Sequence, residues 1–199
     1  MSHSETSQQI AAYLCRFANV RLAQIEAFVA RGRPRLLEAG ESFCQLGQDR
    51  HEVAFIEEGI VRYFALTSDG TDSTKDFGLQ GSFTLSFGSA ALGRPAEVAI
   101  EAVVRSRLMV WPYQILLDLY DTDIEWQKVG RRVAEFLYVR KEQRELSFLQ
   151  QDAETRYRTM LAQFGSQAHA IPQYYLASYL GIQPQSLSRL KRRIADEPR

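Results

Sequence analysis

In the first thirty positions the apolar residues Ile10, Leu14, Phe17, Leu22, Ile25, Phe28 and Val29 recur mostly at steps of three and four, and the run breaks near Asn19. That is the period of an amphipathic helix, so the spacing predicts a pair of short helices. After Pro34 the texture changes to short apolar runs cut by Gly, Asp and Ser: RLLEAGESF, VAFIEEGIVRYFAL, TSDGTDSTKDFGL and AEVAIEAVVRSRLMVWP. Runs rich in Val, Ile, Phe and Tyr at intervals of about ten residues, with Asp69 and Gly70 as a hairpin turn, predict an all-β roll or barrel over residues 34–112.

From Tyr113 the helical period returns and continues to about Gln150, with Gly130 the one glycine inside it and no proline. Ile124, Val129, Val133, Phe136, Leu137, Leu146 and Leu149 make an apolar stripe interrupted by RKEQRE, which predicts one long helix charged on one side. A helix of about 25 residues spans roughly 37 Å, longer than a small barrel needs as a lid. Pairing with a second copy is therefore the expectation; packing on its own barrel alone is the alternative.

The segment QYYLASYLGIQPQSLSRLKRRI, residues 173–194, fits a helix-turn-helix. Leu176, Leu180, Ile182, Leu187 and Leu190 supply buried positions, Ala177 is small where the helices approach, and Gly181 sits where a turn needs positive φ. Pro184 suits the first turn of the second helix, with Gln183 an imperfect cap. Leu187, Leu190 and Ile194 then point inward and leave Gln185, Ser186, Ser188, Arg189, Arg192 and Arg193 outside. Arginine grips guanine and glutamine grips adenine through paired hydrogen bonds in the major groove, while Lys191, Arg192 and Arg193 near the helix end suit phosphates. A surface helix with solvated charges is the plain alternative, but the glycine, alanine, proline and five apolar positions agree together on DNA binding.

Charge and composition sharpen this picture. The chain of 199 residues carries 24 basic and 24 acidic side chains, a formal net charge of zero, which excludes a protein that coats nucleic acid over its whole surface. The asymmetry is local: from residue 156 onward Arg156, Arg158, Arg189, Lys191, Arg192, Arg193 and Arg199 face only Asp196 and Glu197. No stretch is long and apolar enough to span a bilayer, and the start MSHSETSQQ lacks the features of a secretory signal, so a cytoplasmic location without membrane contact is expected. Cys15 and Cys44 lack CxxC spacing and read as ordinary reduced thiols. A metal cupin would need several histidines on barrel strands, yet His3 and His169 lie outside the roll and His51 stands alone. Gly-rich phosphate loops, a Gly-x-Ser-x-Gly elbow and zinc spacings are also missing from the sequence. The expectation is a protein that is not an enzyme, with no metal and no cofactor.

Helices, then a β-roll, then a long helix, then a C-terminal helix-turn-helix: this order resembles the Crp/Fnr superfamily of bacterial transcription regulators over nearly the whole chain. LEAGESFCQLGQ at 37–48 is similar to that family's glycine-punctuated first strands, and EVAFIEEGIVRYFALTSDGTDSTKDFGLQGSF at 52–83 to its central hairpin. The resemblance implies an α+β chain in three parts. Residues 1–120 would form a sensor domain, a cyclic-nucleotide-binding-like double-stranded β-helix with N-terminal helices. Residues 121–152 would form the dimerisation helix, and residues 153–199 a winged-helix-like DNA-binding domain whose wing is short or absent. It further implies a homodimer on palindromic double-stranded DNA, with RNA polymerase as a further partner; a sensor or scaffold module that binds a protein is the rival class.

The ligand loop departs from the family pattern. Cyclic-nucleotide binders carry Gly-Glu at its start and Arg-Ser or Arg-Thr at its end, whereas here Gly81, Ser82, Phe83 and then Ala96, Glu97 stand there. A buried Glu97 would repel a phosphate, and Arg94, two residues before that pair, is the cation within reach, so cyclic AMP is not the expected effector. The iron–sulfur branch of the family needs a cysteine cluster that two distant cysteines cannot supply. A small-molecule effector would sit between loop 81–97 and the long helix, near Ser82, Phe83, Thr84, Ser86, Arg94, Glu97, Tyr138 and Arg140. Polar residues closing a vestigial pocket are the other reading of that set.

Overall fold

The computed structural model describes residues 2–196. Two short helices, α1 (His3–Leu14) and α2 (Leu22–Val29), precede eight strands: β1 (Arg33–Leu37), β2 (Ser42–Cys44), β3 (Glu52–Glu58), β4 (Ile60–Leu66), β5 (Asp72–Leu79), β6 (Phe83–Thr84), β7 (Ala99–Ala102) and β8 (Ser106–Pro112). A helix α3 (Phe87–Leu92) lies between β6 and β7. Then follow α4 (Gln114–Thr122), α5 (Ile124–Gln150), α6 (Ala153–Phe164), a 3-10 turn over Gly165–Ala170, α7 (Gln173–Leu180) and α8 (Pro184–Ala195).

The strands form two antiparallel four-stranded sheets, β1-β8-β3-β6 and β2-β7-β4-β5. Leu37, Phe43, Ile56, Val61, Ile100, Leu108 and Val110 fill the space between them. Strand β3 is buried along nearly its whole length because its second face is covered by α1 and α2, where Phe28 stacks on Trp111 at 4.3 Å. That double covering explains why VAFIEE shows no alternation. At the β4–β5 turn Gly70 has φ +82°, and the Asp69 carboxylate accepts a hydrogen bond from the Thr71 amide at 3.1 Å, the expected Asp-Gly turn.

Two expectations need correction. The helical region from 113 to 150 is not one helix but two: Asp123 ends α4 and caps α5, its carboxylate accepting from the amides of Glu125 at 2.8 Å and Trp126 at 3.2 Å. The break turns Trp126 and Val129 into the core beside Phe28. The roll is also not all β, since α3 occupies the middle of the loop 81–97. Among the described residues no helix is long and apolar enough to cross a membrane. The expectation about a wing, like Glu197 and Arg199, lies outside the described residues.

Candidate nucleic-acid interface and effector cavity

Helix α7 ends at Gly181, whose φ of +69° is the left-handed conformation that glycine adopts without a steric cost. The Ile182 amide returns to the Ala177 carbonyl at 3.0 Å and closes the turn. Helix α8 then starts from extended Gln183, whose side chain makes no capping bond, with Pro184 in its first turn. Leu187 and Leu190 are buried against α7, and Ile194 is half-buried. Gln185, Ser186, Arg189 and Arg192 are exposed, while Ser188 and Lys191 are half-buried. Arg193 is exposed but not free: its guanidinium pairs with Glu154 at the start of α6, which also receives Arg158 at 2.8 Å. Hydrogen bonds from Arg158 and Arg193 hold the Glu154 carboxyl below the usual carboxylate range. Arg193, expected to suit phosphate, is thus engaged by a carboxylate of its own chain in this structure.

The helix-turn-helix is docked on the roll through α7. Ser178 Oγ accepts from the Thr74 amide at 2.9 Å, and Tyr175 donates its hydroxyl to Glu101 at 2.8 Å. Beneath Tyr175 lies Arg62, only 3% exposed, bonded to Glu101 at 2.6 Å and Asp72 at 2.6 Å, with its guanidinium 3.9 Å from the Tyr175 ring. Burial works against that charge, but the two carboxylates outweigh it and raise the Arg62 pKa. Tyr179 packs on Phe77 of the roll at 5.5 Å. At the C-terminal end of α7, Arg144 donates to the Tyr179 carbonyl at 2.7 Å and Arg156 to the Leu180 carbonyl at 3.1 Å. Both guanidiniums lie over the Phe148 ring, at 4.9 and 4.8 Å, and a methyl group on Gly181 would meet that ring at 2.9 Å. These contacts were not anticipated from sequence. An arginine in the middle of the apolar strand IVRYFAL was the one local sign that something charged meets that face.

A cavity of about 1050 Å³ runs between the roll, α1, α5 and the helix-turn-helix. It gathers Ser82, Phe83, Thr84, Ser86, Glu97, Tyr138 and Arg140, but not Arg94, which is exposed and outside the lining. Glu97 is exposed at the rim, not buried as expected, so solvent screens it; the buried residue of the pair is Ala96. The Glu97 amide donates to Ser89 Oγ at 3.1 Å, which ties the loop end to α3. Across the cavity Arg140 pairs with Asp76 at 2.8 Å. Burial raises the Asp76 pKa against the pull of Arg140, and burial pushes the Tyr63 phenol up to about 12, the neighbouring Thr84 hydroxyl opposing. Among the described residues no group of His, Cys, Asp and Glu is arranged to hold a metal; Cys44 is buried and Cys15 exposed, both free thiols.

No family model matches the chain, and no curated protein matches it by sequence. Solved structures do match by fold. FixK2 from Bradyrhizobium japonicum is 19% identical over 82% of this chain and 84% of its own, with a TM-score of 0.70. The c-di-GMP-responsive global regulator CLP of Xanthomonas campestris is 17% identical over 90% of this chain and 96% of its own, with a TM-score of 0.67. A Eubacterium rectale protein assigned to the Crp/Fnr family of transcriptional regulators is 15% identical over 88% of this chain and 84% of its own, with a TM-score of 0.68. The chain has the Crp/Fnr fold: a cyclic-nucleotide-binding-like β-roll, a long helix and a helical C-terminal region.

Proposed function

We propose that this protein is a DNA-binding transcription regulator of Crp/Fnr type, a homodimer that reads a palindromic promoter site with α8. The observation that carries the reading is the α7–turn–α8 unit, which buries Leu187 and Leu190 and leaves Gln185, Ser186, Arg189 and Arg192 exposed on one element. Each α8 enters the major groove of one half-site, and a two-fold axis between paired copies of α5 sets the half-sites one turn apart, about 34 Å. Pairing is supported by apolar side chains on α5 that this chain leaves uncovered, Ile124, Tyr138, Val139, Leu146 and, at 81% exposure, Leu149.

In the same reading the protein acts in the cytoplasm, an effector in the cavity biases the seating of α7 and α8, and RNA polymerase is a further partner. It is not an enzyme and carries no cofactor. Selection of bound fragments from genomic DNA, followed by a gel shift on the recovered duplex, tests the proposal. A two-fold symmetric consensus is the expected result. Failure to bind any duplex at low salt overturns the proposal in favour of a module that binds protein.

A further inference from the structure

The cavity is lopsided in charge. Along the loop from Ser82 to Val98 the lining contributes one ionised side chain, Glu97, and no cation. Elsewhere in the lining β5, α5 and α6 contribute Lys75, Arg140, Lys141, Arg144 and Arg156, and the chain just after α1 contributes Arg16, against the single carboxylate of Asp76. Asp76 is committed to Arg140 at 2.8 Å. Arg144 makes no ion pair among the described residues: it is half-buried, gives one hydrogen bond to a backbone carbonyl, and lies 3.9 Å from the Tyr179 ring. Burial lowers its pKa, so its charge is under-stabilised where it stands. Arg156 has the matching deficiency, a buried Nε without a hydrogen-bond partner. A desolvated cation short of a counter-charge and an N–H short of an acceptor are both relieved by an anion.

We propose that this cavity binds an organic carboxylate with an aromatic body, its charge received by Arg144 and Arg156 and its body lying toward Tyr63 and Phe83. The charge is thus held at the helix-turn-helix end of the cavity, away from the loop 81–97. Both arginines already hold the last carbonyls of α7, Tyr179 and Leu180, so the anion competes with the grip of α5 and α6 on α7. Occupancy therefore acts on the DNA-reading unit directly, by its differential affinity for the held and released arrangements. This regulatory consequence rests on the function proposed above; the binding itself does not.

The test titrates the purified full chain with 2-naphthylacetate and with 2-naphthylacetamide, equal in shape and uncharged, by calorimetry. The acid binds about tenfold tighter or better, a difference of about 1.4 kcal/mol. Arg144→Gln and Arg156→Gln each bring it close to the amide, and Arg144→Lys retains the preference. If the glutamine variants do not fold, Asp76→Asn supplies the test, since removing the competing carboxylate tightens the acid several-fold and leaves the amide unchanged. Equal binding of acid and amide, or a preference that survives in the Arg144→Gln/Arg156→Gln double variant, overturns the proposal. A gel shift on the selected duplex separates the two readings. Saturating acid changes the duplex affinity several-fold; intact acid binding with no effect on DNA refutes the coupling, and intact acid binding with no DNA binding at all supports the site and refutes the regulator.

Discussion

Arg189 and Arg193 lie one turn apart on α8 but have different neighbours, and this divides their roles. Arg189 carries base discrimination in our reading, so Arg189→Ala relaxes preference at one position of each half-site by about 1–3 kcal/mol, measured with single-base variants of the selected duplex. Arg193 is engaged by Glu154. Glu154→Gln frees it, tightens all duplexes alike, and steepens the slope of log affinity against log salt by about one, read by fluorescence anisotropy at several salt concentrations. Gly181→Ala places a methyl group 2.9 Å from Phe148 in a left-handed conformation. The expected loss is about 1–3 kcal/mol in chemical denaturation. The outward residues of α8 were legible in the sequence because burial within one amphipathic helix follows from spacing alone. The partner of Arg193 was not, because residues 154 and 193 are brought together only by tertiary packing.

At the scale of elements, the junction between α4 and α5 shows what periodicity cannot resolve. The apolar stripe runs through Thr122 and Asp123 without a glycine or proline, so the pattern reads as continuous, while the chain restarts its helix on the Asp123 carboxylate. Asp123→Ala costs about 1 kcal/mol, the usual worth of an N-cap. The amides of Trp126 and Glu125 hold this carboxyl below its ordinary value. Its contribution is therefore present above the unfolded pKa of about 4 and lost as pH falls through the lower folded value. Denaturation of wild type and variant across pH 2–6 checks the sign: the gap between them closes in acid. The two N-terminal helices, the Asp-Gly hairpin and the run of strands were readable from local pattern. Helix α3 was not, since Phe87–Leu92 offers too short a run to show a period.

At the scale of the whole molecule, the seating of α7 on the roll is the link between the strands and the C-terminal helices. Tyr175→Phe removes a hydrogen bond to a carboxylate that Arg62 continues to hold, a loss of about 1.5–3 kcal/mol. Hydrogen exchange accelerates in α7 while β3 and β8 stay protected, and an equal change in both would count against local undocking. The cavity was partly legible: seven of its residues follow from the resemblance to a known loop-and-helix arrangement. The roles of Arg144 and Arg156 were not legible in the sequence, since they come from the α7 carbonyls that the two side chains meet.

The apolar cluster beneath α7 is composed of Ile60, Phe77 and Val103 from the roll together with Tyr157, Met160, Phe164 and Tyr179 from the C-terminal helices. A swing of those helices wets aromatic surface on both sides, and hydrated apolar surface raises heat capacity by about 0.45 cal/mol/K per Å². In the function proposed above, reorientation would therefore be a thermal event as well as a geometric one: the same signal would weigh differently in a cold cell and a warm one.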